Sequence, residues 1–346
     1  MNADSDRGKD MDVDVKVSIL MPVFNAEKTL VECLDSILDQ TLEEFELVAV
    51  NDNSTDRSVE VLRSYNDSRI SIIENQQKGI VSALNQGLQS CRSDLVARMD
   101  ADDVMYVERL KKQFAVMTDD ASITLCATQA RKFPEEKIKA GYIEYMRWQN
   151  ACLSRQDVEN QIYIESPFAH PSVMFRKKCV LDLGGYNEGE FPEDYELWLR
   201  LFHAGKNMMK LDEILIDWRE SENRLSRTSS RYSDEAFDYL RAEYLAKDTR
   251  LHGRDIVFWG AGRKTRQRTQ CLIDRGVNPV AWIDIDNKKI GKAYHGAKIF
   301  SPGWLLKVKE KPFVLNYVRN HGVRNLCRKH LDEAGYVMGK DYLDVA

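Results

Sequence analysis

The feature that most constrains the fold is a pattern repeated in the N-terminal half. A buried apolar run leads into polar residues and then into a helix-like segment. Apolar runs cover residues 17–24, 45–50 and 95–97, and the apolar spacing over 27–39 predicts a helix between the first two. Such repeats build a doubly wound α/β unit, which binds ligands beyond the carboxyl ends of its strands. We therefore expect an α/β fold whose rim carries Phe24, Asn51, Asp52 and the aspartates that follow residue 97.

Three of those aspartates, Asp100, Asp102 and Asp103, lie within four residues of one another. Carboxylates at the end of a buried strand repel each other and lose hydration, so a divalent cation with an anionic ligand best explains the cluster. Mg²⁺ or Mn²⁺ suits carboxylate oxygens. The cluster thus predicts nucleotide-diphosphate chemistry. The alternative is a solvated turn that caps a helix starting near Tyr106, which needs only one acid.

The chain resembles glycosyltransferase family 2, with the fold called GT-A, over roughly residues 15–235. Five motifs in order carry the resemblance: MPVFN at 21–25, NDNSTD at 51–56, RMDADD at 98–103, PED at 192–194 and WR at 218–219. The resemblance implies a nucleotide-sugar-binding domain with a mixed, Rossmann-like sheet. It also implies metal-dependent, inverting transfer of a hexose from a UDP-sugar to an acceptor hydroxyl.

The resemblance assigns the metal and the chemistry to acids. Asp102 is expected to bind Mn²⁺ or Mg²⁺, with Asp100 near the ribose or a metal-bound water. Asp194 is the expected general base, and Glu193 is the second choice. An acid at a helix start is also favoured by the helix dipole, so capping alone is the alternative for this pair.

Donor contacts are expected from residues of several motifs. Asn51 stands where the family usually has an acid that meets uracil, and an amide oxygen can still accept from a ring N–H. Arg219 is expected on the diphosphate, because arginine binds phosphate bidentately. Asp52 is a further donor candidate. Pro22 or Phe24 would line the base, and Lys78 with Arg98 would approach the phosphates; each of these four has an ordinary packing or surface role as its alternative.

On the acceptor side, residues 165–176 match a family segment that borders the acceptor, and this segment contains His170. A lone histidine among apolar neighbours is more often structural than catalytic. Tyr195 and Trp198, which follow the PED motif, are expected on the same side.

The sequence predicts a disordered tail (1–14), a GT-A domain (15–250) and a Rossmann-like accessory domain (251–346). Residues 254–346 hold 18 Lys and Arg against 9 Asp and Glu, whereas the whole chain carries −5. The turn at 260–262 and the acids Asp284 and Asp286 outline a dinucleotide site, although Thr265 replaces its third glycine. A dinucleotide module and a plain accessory domain both stay open.

The basic character of this C-terminal part would suit a polyanionic acceptor. The whole chain resembles a branch of the family that includes the animal queuosine-tRNA galactosyltransferase, which implies a UDP-hexose donor and makes tRNA a candidate acceptor. Galactose transfer to queuosine in tRNA is then one candidate reaction, although no single residue selects galactose or queuosine. Two alternatives remain: transfer to a surface-glycan or lipid-linked precursor, and a non-catalytic nucleotide-sugar binding protein. Homo-oligomer formation stays open. The marks of the branch are residues 51–52, 145–148, 192–194, 259–262, 284–286 and 339–343.

The seven cysteines are scattered with no CxxC pair, which is typical of a reducing compartment and argues against a disulfide framework or structural zinc. No apolar stretch approaches the roughly 20 residues of a spanning helix. The first fifteen residues are polar rather than signal-like. We expect a cytoplasmic protein without an integral membrane segment.

Overall fold

The computed structural model describes residues 14–138, 140–221 and 224–345. The predicted disordered tail lies outside the described residues, apart from Asp14.

An eight-stranded mixed sheet organises the N-terminal part, with the spatial order β3-β2-β1-β4-β7-β6-β8-β5. Its first four members in sequence, β1 to β4, run parallel, whereas β7 is antiparallel to β4 and to β6. This confirms the predicted mixed α/β sheet. The strands are β1 Val17–Val23, β2 Phe45–Asn51, β3 Ile70–Glu74, β4 Leu95–Arg98, β5 Val104–Met105, β6 Ile123–Phe133, β7 Met174–Arg176 and β8 Asn207–Arg219.

Ten α-helices of the described part of the chain accompany this sheet. They are α1 Leu30–Leu38, α2 Ser58–Ser64, α3 Ile80–Ser90, α4 Arg109–Asp119, α5 Ala140–Ala151, α6 Arg155–Gln161, α7 Lys177–Asp182, α8 Glu193–His203, α9 Leu225–Thr228 and α10 Asp234–Leu245.

Strand register brings the predicted rim together. Val23 lies opposite Asn51, and Leu20 lies opposite Arg98, so the loops after β1, β2 and β4 leave the sheet at one edge. The end of β8 joins that edge through β5, where Asp217 pairs with Val104. Residues far apart in sequence therefore meet beside the aspartate cluster.

A second sheet of six strands follows, in the order β11-β12-β10-β9-β13-β14. All its pairs are parallel except β11 with β12, and the chain order reverses between β9 and β13, as in a Rossmann-like unit. Its elements are β9 Ile256–Trp259, α11 Arg263–Ile273, β10 Pro279–Ile283, β11 Ala293–Tyr294, β12 Ala297–Phe300, β13 Phe313–Asn316, α12 His321–Glu333 and β14 Tyr342–Asp344.

The two sheets share a hydrophobic core. One cluster of buried side chains runs from Leu20 of β1 through Leu240 and Leu245 of α10 to Phe258 of β9 and Leu272 of α11. Polar contacts reinforce the junction, including Arg275 Nε on Glu243 Oε2 at 3.0 Å. The second sheet is thus packed against the first part rather than tethered to it.

Two predicted helix starts were wrong. The first helix begins at Leu30 rather than residue 27, because the N–H of Thr29 bonds back to the carbonyl of Ala26 in a turn. The helix expected near residue 106 begins at Arg109, because Val104 and Met105 form strand β5 against β8. A local turn therefore delayed the first helix, whereas a tertiary strand pairing at the rim delayed the second.

None of the helices in the described ranges combines the length and the apolar character that a membrane-spanning segment requires.

Candidate functional site

A cleft of about 2420 Å³ opens at the carboxyl edge of the first sheet and extends to α10, α11 and α12. Pockets for one small ligand are usually about 300–1,000 Å³, so this cleft has room for two substrates. The predicted site residues that line it are Pro22, Phe24, Asp52, Lys78, Arg98, Asp100, Asp102, His170, Glu193, Asp194 and Arg219.

The aspartate cluster lies at the middle of the rim. One carboxylate oxygen from each of Asp100, Asp102 and Asp103 lies within 4.8 Å of the others. Burial and the neighbouring carboxylates raise the pKa of Asp102, and they raise that of Asp103 well above its usual value. Asp103 Oδ2 is buried with no hydrogen-bond partner in the described part of the chain. Crowded acids with an unsatisfied oxygen fit a hard divalent cation.

Two buried arginines support this cluster from below. Arg98, only 1% exposed, donates from Nη2 to Asp100 Oδ1 at 2.6 Å. Arg109 donates from Nη2 to the carbonyl of Arg98 at 2.9 Å. Arg98 was expected on the phosphates, but its guanidinium is engaged under the rim, so the geometry makes it a support for Asp100. Arg109 was missed, because a helical arginine carries no sequence signal of burial.

Arg219 ties the end of β8 to the same loop. Its Nε donates to the carbonyl of Asp102 at 2.6 Å, and its backbone N–H donates to Asp103 Oδ1 at 2.7 Å. The guanidinium also pairs with Glu32 and lies 4.3 Å from the centre of the Phe133 ring. Arg219 therefore stands at the aspartate loop, and its contact with the diphosphate stays a prediction.

A second group of polar residues, centred on Asp52, lies beyond the end of β2. Asp52 accepts from the N–H of Gly79 at 2.8 Å and from Asn75 Nδ2 at 2.6 Å. Gly79 has φ of +137°, which only glycine adopts readily, so its N–H can point at Asp52. Beside them Lys78 Nζ lies 4.7 Å from the ring centre of Phe24, which is 48% exposed. An aromatic ring, a cation and a carboxylate here can receive a planar base and its ribose.

Asn51 does not line the cleft. Its Nδ2 donates to Glu74 Oε2 at 2.6 Å, and its Oδ1 accepts from the N–H of Ser54 at 3.1 Å. Both ends of the amide are thus engaged in holding the loop after β2. This placement does not support the predicted contact between Asn51 and a uracil ring.

The two candidate bases at the start of α8 differ in their surroundings. Glu193 is 4% exposed, and its Oε2 accepts from the Tyr232 hydroxyl at 2.5 Å. Asp194 accepts the N–H of Tyr195, on Oδ1 at 2.7 Å. Burial, and then the neighbouring Glu193 carboxylate, raise the pKa of Asp194 to about 7. Asp194 is therefore the one placed to exchange a proton near neutral pH.

The residues predicted for the acceptor side separate into two groups. His170 lines the cleft, and its Nε2 shares a hydrogen bond of 2.9 Å with the Tyr186 hydroxyl. Burial, with Arg98 nearby, holds the pKa of His170 well below its usual value, so the ring is neutral. Tyr195 and Trp198 are both 0% exposed and lie behind the wall, because their faces of α8 pack into the core. They support the cleft rather than line it.

A buried ionic cluster that the sequence did not predict lines one side of the cleft. Lys132 Nζ bonds to Glu220 Oε2 at 2.7 Å and lies 4.1 Å from the ring centre of Trp218. Arg224 covers the same ring at 4.4 Å, and Arg227 also pairs with Glu220. Lys132 and Glu220 are 88 residues apart in sequence, so no local pattern could reveal their pairing.

In the second sheet, the turn at residues 260–262 after β9 already donates a backbone N–H to a carboxylate of the protein. Asp284 Oδ2 accepts from the N–H of Ala261 at 2.8 Å, and Lys289 Nζ lies 3.0 Å from the same oxygen. Burial tends to raise the pKa of Asp284, but bonds from the N–H groups of Asp286 and Ala261 outweigh it and lower the value. An internal carboxylate thus takes an N–H that a bound diphosphate would use. This argues for an accessory domain over a dinucleotide module.

Several basic residues of the C-terminal part are also engaged in contacts within the protein. Arg266 stacks 3.9 Å from the ring centre of Tyr294, and Arg268 pairs with Asp238 at 3.3 Å. Arg263, Lys264 and Lys288 are exposed outside the cleft. These basic residues therefore do not form one continuous docking face.

Residues 18–183 match the family described as glycosyl transferase family 2. The amylovoran biosynthesis glycosyltransferase AmsE of Erwinia amylovora is 30% identical over 231 residues, which are 65% of this chain and 82% of that protein. The UDP-Gal:alpha-D-GlcNAc-diphosphoundecaprenol beta-1,3-galactosyltransferase of Escherichia coli is 28% identical over 236 residues, 66% of this chain and 82% of its own length.

Among solved structures, S. aureus TarS 1-349 in complex with UDP-GlcNAc superposes with a TM-score of 0.54 at 17% identity, covering 75% of this chain and 80% of that one. At this identity the likeness shows the fold, and it agrees with the predicted GT-A architecture.

Proposed function

Because this chain belongs to glycosyl transferase family 2 and is a glycosyltransferase, we propose that it moves a hexose from a UDP-sugar to an acceptor hydroxyl by a metal-dependent, inverting reaction. The observation that carries the proposal is the meeting of two acidic groups in one cleft. Asp100, Asp102 and Asp103 lie on the donor rim, and Asp194 lies at the start of α8.

UDP as the donor nucleotide is supported by two comparisons and by the group of polar residues centred on Asp52. The E. coli relative is named for UDP-Gal, and the TarS structure contains UDP-GlcNAc. In this chain Phe24 can stack on the base, while Asp52 and Lys78 face the same part of the cleft. Arg219 then lies toward the diphosphate.

The aspartate cluster is proposed to hold Mn²⁺ or Mg²⁺. Asp100 and Asp102 face the cleft, and Asp103 contributes a buried oxygen that has no hydrogen-bond partner among the described residues. A divalent cation bound there supplies charge stabilisation for the departing diphosphate.

Asp194 is proposed to perform the proton transfer. Its carboxylate takes the proton of the acceptor hydroxyl while that oxygen forms a bond to the anomeric carbon. The bond from that carbon to the diphosphate breaks, and its electron pair leaves with UDP. Attack from the face opposite UDP inverts the configuration. His170, held neutral by burial, borders the acceptor's place.

The acceptor is proposed to be a surface-glycan or lipid-linked precursor, which is supported by the names of the two relatives. Galactose transfer to queuosine in tRNA and a cytoplasmic location stay predictions.

The test is hydrolysis of a panel of UDP-sugars with Mn²⁺, together with the melting temperature with and without the ion. Wild type should hydrolyse at least one UDP-sugar, and Mn²⁺ at 100 times its dissociation constant should stabilise the fold by about 2.7 kcal/mol. Asp102→Asn should lose both effects. Asp119→Asn, an exposed acid on α4 outside the cleft, should lose neither. Equal behaviour of the two variants would exclude the proposed metal site.

A further inference from the structure

Helix α5 contributes a wall of the cleft to which the sequence assigned no role. Gly141, Glu144, Tyr145 and Trp148 all line the cleft. Their spacing of three and four residues puts them on one face of the helix. Tyr145 and Trp148 are both partly exposed. This face of α5 therefore presents two aromatic rings to the cleft.

Each of the two rings is fixed by its polar end. The Tyr145 hydroxyl donates to the carbonyl of Ser166 at 3.1 Å and accepts from Gln149 Nε2 at 2.6 Å. Trp148 Nε1 donates to Gln161 Oε1 at 2.8 Å. Because these polar atoms are engaged within the protein, a ligand in the cleft meets the rings themselves. Rings that are fixed in advance also lose little conformational freedom when a ligand binds.

The two rings form an angled surface. Their centres are 5.9 Å apart, and their planes are tilted by 38°. Tyr142, one helical turn earlier, differs from them because Lys132 lies 4.5 Å and Arg227 lies 5.1 Å from its ring centre. Tyr142 therefore belongs to the buried ionic cluster, which leaves Tyr145 and Trp148 of α5 to a ligand.

This aromatic pair lies on the acceptor side of the proposed base. Burial raises the pKa of the Tyr145 hydroxyl, and the charges of Glu165 and Asp194 raise it further, so both carboxyl groups lie near the ring. Ser166, which accepts from Tyr145, is four residues before His170, and both residues line the cleft. A ligand packed on the rings would therefore lie beside Asp194.

Carboxyl groups next to aromatic rings suit a sugar ring. A pyranose has C–H groups on its flat faces, which pack on the negative face of an aromatic ring, and hydroxyls at its edge, which donate to carboxylates. Glu144, Glu165 and Asp194 supply such acceptors around the aromatic pair. The bases of a nucleic acid also stack on aromatic rings, but carboxylates repel its phosphates.

Space continues beyond Trp148. A side groove of about 210 Å³ lies between α5 and α12, and Glu144 and Trp148 line this groove as well as the cleft. An acceptor held at Trp148 therefore has room for more than one sugar unit.

We propose that Tyr145 and Trp148 form a saccharide-binding subsite, on which a sugar ring of the acceptor packs while its free hydroxyl faces Asp194. This inference rests on the proposed glycosyl transfer and names the acceptor as a saccharide. The fixed rings set the orientation of the sugar, and the carboxyl groups around them bind its hydroxyls.

The test measures saccharide binding to the full chain by saturation-transfer NMR, with and without UDP and Mn²⁺. The probes are methyl β-glucoside, methyl β-galactoside, methyl N-acetyl-β-glucosaminide and methyl β-lactoside. At least one should bind, and saturation should be strongest for the protons on one face of its ring. Sorbitol, which has hydroxyls but no ring face, should not bind. If no glycoside binds, or if sorbitol binds equally well, the inference is overturned.

Paired variants separate stacking from a structural role of Trp148. Trp148→Phe and Trp148→Leu both lose the bond to Gln161, but only the first keeps an aromatic ring. Trp148→Leu should bind about 3- to 10-fold more weakly than Trp148→Phe, as expected for loss of an aromatic contact. Equal binding by the two variants would make the role of Trp148 structural and overturn the inference. Where Trp148→Leu does not fold, Tyr145→Leu against Tyr145→Phe makes the same comparison.

The matched control is Trp304→Leu. Trp304 is also partly exposed, but it stacks on Phe300 at 4.9 Å between ring centres and lies outside the cleft. This variant should bind the glycosides as wild type does. A loss of binding equal to that of Trp148→Leu would show that the effect is not specific to the subsite, which contradicts the inference.

The remaining outcomes separate this inference from the proposed function. If wild type hydrolyses UDP-sugars but binds no glycoside, only this inference fails. Glycoside binding without hydrolysis of any UDP-sugar would uphold the subsite and overturn the proposed function. If a single-stranded RNA binds in a Trp148-dependent manner and no glycoside binds, the saccharide is excluded in favour of a stacked base.

Discussion

Replacing Asp194 with asparagine tests the centre of the proposed reaction. The amide keeps the size of the carboxylate and can still accept the N–H of Tyr195 that Oδ1 accepts at 2.7 Å. It cannot take a proton from the acceptor hydroxyl. The variant should therefore fold and bind UDP as wild type does, while turnover falls.

The size of the loss follows from the environment of the group. A positioned general base contributes about 10²- to 10⁴-fold, which corresponds to about 2.7–5.5 kcal/mol of activation free energy. Burial and Glu193 raise the pKa of Asp194 to about 7, near the value at which a base is both ionised and strongly basic at neutral pH. The Asp194→Asn variant should therefore lose activity in the upper part of that range at pH 8.

The same pKa fixes the sign of the pH dependence. The base is active as a carboxylate, and its folded pKa is raised, so activity is present above pH 7 and is lost as the pH falls through 7. At pH 6 about one tenth of the plateau should remain. Glu193→Gln removes the neighbouring charge that raises the pKa, so the midpoint should move to lower pH.

The assay is transfer to acceptor, or hydrolysis of a UDP-sugar where no acceptor is at hand, as kcat and kcat/KM between pH 5 and 9. The dissociation constant for UDP is measured on the same preparations. Normal turnover of Asp194→Asn, or a pH profile of wild type that is flat from 6 to 8, would refute the assignment. A parallel loss of UDP affinity would show instead that the substitution disturbed the donor side.

Two further predictions concern stability. Lys132→Met leaves the buried Glu220 with Arg227 as its ion-pair partner, so urea unfolding should show a loss of about 3–5 kcal/mol in the free energy of unfolding. The double variant Lys132→Met with Glu220→Gln should recover part of that loss. A loss below about 1 kcal/mol in Lys132→Met would show that the pair is dispensable. Gly260→Ala should lower the free energy of unfolding by about 1–3 kcal/mol, because Gly260 has φ of +104° and a Cβ there would meet Thr265 at 3.3 Å. At Gly262 a Cβ would enter open space, so Gly262→Ala should lower it by less than about 1 kcal/mol. Equal midpoints for the two glycine variants would contradict this account.

Much of the first sheet followed from local pattern. The apolar runs of β1, β2 and β4 are buried along their whole length, and polar residues end each run, so periodicity alone placed Asp52 and Asp100 on one edge. Helix starts were predicted less accurately. A turn precedes Leu30 and strand β5 precedes Arg109, so both helices begin later than the local pattern indicates.

Asn51 shows the limit of reading a motif. Its position at the end of β2 was predictable, but the direction of its amide was not. Glu74 and Ser54 engage that amide, and both belong to the surroundings created by β3 and the loop. The same applies to Trp198, whose motif suggested the acceptor and whose side chain lies in the core.

The sequence by itself determined the alternation of strands and helices, the cluster of aspartates and the acids that begin α8, because each depends on neighbours within a few residues. Only the tertiary structure decided that Glu193 is engaged by Tyr232 while Asp194 faces the cleft. It also decided that Arg319 reaches the end of that cleft from a second sheet. The physical reason is that burial and charge partners, which set pKa values and orient side chains, come from segments far away along the chain.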